Sequence, residues 1–120
     1  MTTNTLVKGI TIDADDHERF FRRRIHLYLE NGYGVIIVYG TGIYSRTLNG
    51  DSHGNMPPET NTAQPEATSV EVAVLKPNGD FVPFLGSGED VRGWTDLDTV
   101  FKIVAWAASL PPAGTVSVTA

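Results

Sequence analysis

Residues 69–85, SVEVAVLKPNGDFVPFL, constrain the fold more than any other stretch. Asn78-Gly79 stands between two apolar runs, the arrangement a two-residue type I′ hairpin requires. An antiparallel strand pair is therefore expected there. Pro83 has no N–H to give to a ladder, which puts the second strand of that pair at a sheet edge. Residues 35–39, VIIVY, are continuously apolar and β-branched, the composition of a strand covered on both faces. Residues 6–12, LVKGITI, read as a further strand.

Two segments read as helices. Asp13-Ala14-Asp15-Asp16 offers N-cap chemistry for a helix running to about Asn31, with negative charge where the helix dipole favours it. Asp15 and Glu18 have capping-box spacing, and Gly32 is available for the left-handed position after the last turn. On that helix Phe21, Ile25, Tyr28 and Leu29 share a face, widened by Phe20 and Leu27. Arg19, Arg22, Arg23, His26 and Glu30 lie opposite, as a solvated face. Arg24 falls inside the apolar arc, where a guanidinium must be paired, stacked or at a rim. It is a candidate anion-binding or interface residue. The second helix begins near Thr95 or Asp96 and ends around Leu110, before Pro111-Pro112. Leu97, Phe101, Val104 and Ala108 form its expected core stripe. Ile103, Trp106 and Leu110 make a second apolar side, a candidate partner surface because tryptophan is enriched at binding hot spots.

Residues 49–68 are polar and rich in Pro, Gly and Asn, the composition of a long loop. IYSRTL (43–48) is a candidate partner strand, and VSVT (116–119) a candidate short strand within a tail at 111–120. The order is β-α-β-β-loop-β-β-α, with a final β left open. It describes a single α+β domain over residues 1–120, with two helices on one face of a mainly antiparallel sheet of four to six strands. A chain of 120 residues can bury such a core without disulfides, and it has no cysteine to form them.

The net charge of −5 is unevenly spread. Residues 1–30 hold five Lys/Arg and five Asp/Glu, whereas residues 31–120 hold four and nine. Nonspecific nucleic-acid binding, which depends on neutralising phosphates, runs against that balance. No apolar run reaches the roughly 18 residues that suggest a membrane span. The N-terminus lacks the basic-then-apolar pattern of a signal peptide, so a cytoplasmic protein is expected.

Few residues suggest chemistry. YGTGIYS (39–45) contains G-x-G after a strand, but no helix follows to set its N-terminus on a phosphate, so a bend or bulge is expected. The three histidines lack metal-ligand spacing, and His53 reads as a surface-loop residue. Ser45, Ser52 and Ser87 lack nucleophile-elbow context. GSGEDVRGW either turns the chain or shapes an anion nest before the second helix. Asp13 and Asp15 form a D-x-D at the end of the first strand. A helix, a second apolar strand ending at Thr41, then Lys76 and Glu89-Asp90 follow. In kind and order these resemble the haloacid-dehalogenase-type phosphatases. The resemblance implies Asp13 as phosphoryl nucleophile, Asp15 as general acid/base, Thr41 and Lys76 as phosphate ligands, and Asp90 with the two aspartates around Mg²⁺. The chain departs from it in placing Lys76 beside a hairpin turn, where that family needs a parallel α/β sheet. Helix capping also accounts for the same aspartates.

The leading expectation is a non-catalytic protein that binds another protein or itself, through Ile103, Trp106, Leu110 and Arg24, with no cofactor. An inhibitor, an immunity-type factor, a phage or mobile-element accessory protein, or an assembly subunit would fit. A Mg²⁺-dependent phosphoryl-transfer enzyme comes second. A binder of small anions, built on Arg24, the Gly40-Thr41-Gly42 bend and GSGED, comes third.

Overall fold

The computed structural model of the chain describes residues 7–17, 20–41, 43–46, 52–53, 66–84 and 89–111. Five strands follow one another in a single sheet: β1 (Val7–His17), β2 (Phe20–Leu29), β3 (Gly34–Gly40), β4 (Ser69–Leu75) and β5 (Val91–Asp96). Each pairs antiparallel with the next, in the order β1-β2-β3-β4-β5. One helix, α1 (Leu97–Ser109), packs over β3, β4 and β5. The α+β class holds for the described residues, with one helix rather than two. None of their helices is long and apolar enough to cross a membrane.

The helix expected up to Asn31 is instead β2, and the acidic run before it belongs to β1. Read with a period of two, Phe21, Ile25, Leu27 and Leu29 share one side of β2 and Arg22, Arg24, His26 and Tyr28 the other. The hairpin register sets Ile12 opposite Ile25 and Ile10 opposite Leu27. It also sets Asp13 opposite Arg24 and Asp15 opposite Arg22, while Asp16 ion-pairs with Arg23. The carboxylates that would cap a helix thus face the arginines across a strand pair. Like charges that would crowd one helix turn alternate here with opposite charges, which favours the sheet.

Gly32 does adopt a left-handed conformation (φ 93°), but in a β-turn. Gly32 N–H donates to Leu29 O at 3.0 Å, and Leu29 N–H to Tyr33 O at 2.9 Å. The hairpin after β4 repeats this device. Gly79 N–H donates to Lys76 O, Lys76 N–H to Asp80 O, and Gly79 has φ 92°. The two-residue type I′ turn expected there is therefore a three-residue loop closed by a left-handed glycine. Pro77 explains the change, because a two-residue turn over Asn78-Gly79 would need Pro77 to donate an N–H to Asp80 O, and proline has none; Lys76 N–H takes that acceptor instead. Beyond the turn, pairing with β4 continues only through Phe81 and Val82, before Pro83.

The expected VIIVY strand is the central β3, and SVEVAVL is β4. β5 was not anticipated within GSGEDVRGW, whose residues 86–88 lie outside the described ones. So do VSVT and most of the 49–68 loop. From IYSRTL, Arg46 makes isolated bridges to Ser52 and Ser69 rather than a described strand.

Helix α1 begins as expected. Asp96 is its N-cap, its carboxylate accepting Thr99 N–H at 2.7 Å, which holds its pKa below the usual value. The buried face, however, is Val100, Ile103 and Ala107, of which Ile103 and Ala107 pack with Leu29, Val35, Val72 and Val74 of the sheet. The stripe expected to be core is turned outward at Leu97 and Phe101, the latter 72% exposed. At the C-terminal end, Asn31 of the β2–β3 turn donates its amide to Ala107 O (2.7 Å) and Leu110 O (3.2 Å). These bonds serve carbonyls of the last turn, where Ala107 O otherwise accepts only the long Leu110 N–H bond of 3.3 Å.

Candidate binding surface

Because α1 packs over β3–β5, the same face of β1 and β2 has no described element above it. Ile25 and Leu27 of β2 and Ile37 and Tyr39 of β3 form the floor of a cavity of about 470 Å³. Leu97, Val100, Phe101 and Val104 of α1 form its wall. Cross-strand register places Ile12 beside Ile25 and Ile10 beside Leu27 on this side, so the apolar floor runs out to the sheet edge. Ile10 is 55% and Ile12 65% exposed. Scattered single apolar residues need no explanation, but these exposed ones adjoin one apolar trough.

The other face of the hairpin is polar. Arg22 and Arg24 project there beside Val38 and Glu71, over a smaller pocket of about 290 Å³ that Phe81 and Val91 help to line. Arg24 is exposed, opposite Asp13 and Val38, and so does not enter an apolar arc. Thr41 ties β2 to the end of β3. Its hydroxyl accepts Phe21 N–H at 3.1 Å, and its carbonyl accepts from Arg22 Nη2 at 2.9 Å. His26 lies flat against Tyr28, ring centroids 4.0 Å apart, and over Gly34, where a Cβ would stand 2.6 Å from His26 Nε2. Burial, with Arg24 alongside, lowers the His26 pKa.

The phosphatase-like set is not brought together. Its parallel sheet is replaced by an antiparallel one, and Asp13 and Asp15 lie on β1 while Asp90 adjoins β5, at opposite edges. Four strand spacings separate those edges, roughly 19 Å. Lys76 sits at the β4 turn, beyond the register pair Gly34–Leu75, whereas Thr41 follows the other end of β3. Among the described residues no group of His, Asp and Glu side chains is placed to hold a metal.

Of the residues expected at an interface, Ile103 is buried in the core and Trp106 is half-buried, its ring 6.0 Å from that of Phe84. Leu110 caps the helix end beside Asn31.

Two clusters escaped sequence reasoning. His53, expected on the surface, is fully buried with Ser45, and the two share a 2.7 Å hydrogen bond. Ser45 also accepts Gly40 N–H, and the His53 ring meets Phe21 edge-on at 5.4 Å. A nucleophile closed off from solvent cannot reach a substrate, so the pair joins the 43–53 segment to the sheet. No local pattern announces it, since the rings that enclose His53, Phe21 and Tyr39, come from β2 and β3. The second cluster is exposed. Arg46 lies 4.7 Å over the Trp94 ring, and Tyr44 lies 5.5 Å from it. Trp94 holds φ 53°, in the left-handed region, at the β-bulge where β5 slips against β4. The glycine before it was the visible signal, because a Cβ on Gly93 would strike Tyr44.

In comparisons with protein-family models, characterised proteins and solved structures, the chain finds no match.

Proposed function

We propose that this protein acts without catalysis, by binding another protein or a second copy of itself through the apolar side of its β1–β2 hairpin. An inhibitor or an assembly subunit works in this way. The carrying observation is the trough that α1 leaves open, with Ile10, Ile12 and Phe101 each more than half exposed around it. Covering one such side chain contributes about 1–2 kcal/mol, so several together supply a driving force that a solvated surface lacks. The dispersal of the D-x-D, threonine, lysine and later acid over the sheet favours this reading over phosphoryl transfer. The test is a photo-crosslinking amino acid at position 101, with one at exposed Asn78 as control, in cells expressing the chain. Discrete protein adducts at position 101, homo- or heteromeric and missing at position 78, are expected. Equal, diffuse labelling at both positions would refute it.

A further inference from the structure

The outer edge of β1 has a defined hydrogen-bonding pattern. Leu29 N–H donates to Tyr33 O at one end of the β2–β3 pair, and Thr41 N–H to Phe21 O at the other. Odd-numbered residues of β2 therefore direct their backbone groups at β3, and even-numbered ones at β1. The β1 partners of His26, Arg24 and Arg22 are Thr11, Asp13 and Asp15. Ile10, Ile12 and Ala14 lie between them and turn their N–H and C=O groups outward. No described strand lies beyond β1.

The two sheet edges differ. β5 has six residues, is kinked at Trp94, and gives the Trp94 N–H to Tyr44 O at 2.9 Å. β1 has eleven residues and no proline, and its register shift against β2 is confined to its start, between Val7 and Gly9, outside the regular stretch from Ile10 to His17. Protein edges of that length are normally blunted or covered.

We propose that β1 pairs antiparallel with β1 of a second copy, Ile12 opposite Ile12, joining the two sheets into one. This rests on the binding reading above and names its partner. The pairs Ile12–Ile12 and Ile10–Ala14 all bring outward-facing backbone groups together, so each exchanges both bonds of a narrow antiparallel pair. Charge selects direction and register. Lys8 stands near the start of β1 and Asp13, Asp15 and Asp16 towards its end. Antiparallel pairing brings Lys8 of each copy to Asp16 of the other, whereas a parallel pair would set carboxylate beside carboxylate. Asp13 then faces Thr11 of the other copy, and Asp15 faces Gly9. The neighbouring registers are worse, since one opposes Asp13 to Asp13 and the other leaves Lys8 beside Ala14. The favoured register also carries the apolar floor across the two-fold axis through Ile10 and Ile12.

Light scattering after size exclusion, over a concentration series, tests this on the full chain, with circular dichroism reporting the fold. Wild type should have twice the chain's mass. Ile12→Pro removes an N–H that the β1–β2 ladder does not use, and should give a folded monomer. Lys8→Glu and Asp16→Lys should each weaken the dimer about tenfold or more, from opposed like charges. An equimolar mixture of those two variants should recover it, because both cross-contacts regain opposite charges. That recovery decides the matter even if Ile12→Pro fails to fold. A wild type monomeric at every concentration overturns the pairing, while adducts at position 101 would then still uphold the wider binding reading. A dimer that ignores all three substitutions but dissociates with Phe101→Glu also overturns it, and leaves association through the trough.

Discussion

Asn31 joins the sheet to the helix, and its removal has a calculable cost. Its amide N–H groups reach Ala107 O at 2.7 Å and Leu110 O at 3.2 Å, while its Oδ1 accepts Tyr33 N–H at 3.2 Å. Two acceptors on one side and a donor on the other leave only one orientation for the amide. Asn31→Ala loses one short and two longer hydrogen bonds. At about 1 kcal/mol for the first and about half that for each of the others, the loss is about 2 kcal/mol. For a domain of this size that lowers Tm by about 8 °C. Asn31→Asp keeps the size and the Tyr33 contact but sets a carboxylate against two carbonyl oxygens at the negative end of the helix dipole. It adds about 1 kcal/mol to the cost of the lost donors.

The two variants separate on acidification. A carboxylate disfavoured in the folded state has its folded pKa above its unfolded one, so the folded state takes up the proton first. The penalty is present at neutral pH and is lifted as pH falls through the folded pKa, when the protonated acid can donate to Ala107 O. The Tm gap between Asn31→Asp and wild type should therefore narrow in acid, while the Asn31→Ala gap stays constant. Differential scanning calorimetry from pH 7 to pH 4 measures both. An Asn31→Ala variant within about 0.5 kcal/mol of wild type, on the scale of an ordinary surface substitution, would refute the reasoning. So would an aspartate penalty independent of pH.

Gly40→Ala should be more damaging, by about 3 kcal/mol or more, because Gly40 has φ +124° and a Cβ would press on the Phe21 carbonyl and lie 2.9 Å from Arg22 Cα. Urea denaturation should show the loss of stability. Trp106→Ala should cost about 2 kcal/mol by vacating its contacts with Phe84 and the core; an unchanged urea midpoint would make Trp106 a surface residue instead. His26 has a folded pKa below its ordinary 6.5, chiefly from burial and then from Arg24. The unfolded chain thus takes up its proton first, and the His26 contribution is lost as pH falls from about 6.5 through the folded pKa. His26→Gln should flatten that part of the pH–stability profile, read from urea midpoints between pH 7.5 and 5.

Some of this architecture is visible along the chain. β3 follows from an apolar β-branched run, the hairpin after β4 from Asn78-Gly79, and α1 from the Asp96 cap and Pro111. Each rests on contacts within a few residues, which sequence displays directly. Phe20–Leu29 carries apolar residues at spacings that serve a helix and a strand alike, and Gly32 provides the left-handed residue that ends either one. What decides between them is the partner, β1, whose isoleucines and aspartates meet the matching residues of β2 only once the hairpin closes. The same holds on α1. Its cap and length are local, but Val100, Ile103 and Ala107 rather than Leu97 and Phe101 face inward because the sheet lies on that side. The buried Ser45–His53 pair and the open trough beside α1 likewise exist only in three dimensions. The turns at Gly32 and Gly79 and the Asp96 cap satisfy backbone groups within their own few residues, so the sequence by itself determines them. Burial depends on which surfaces meet, and only the tertiary structure decides that.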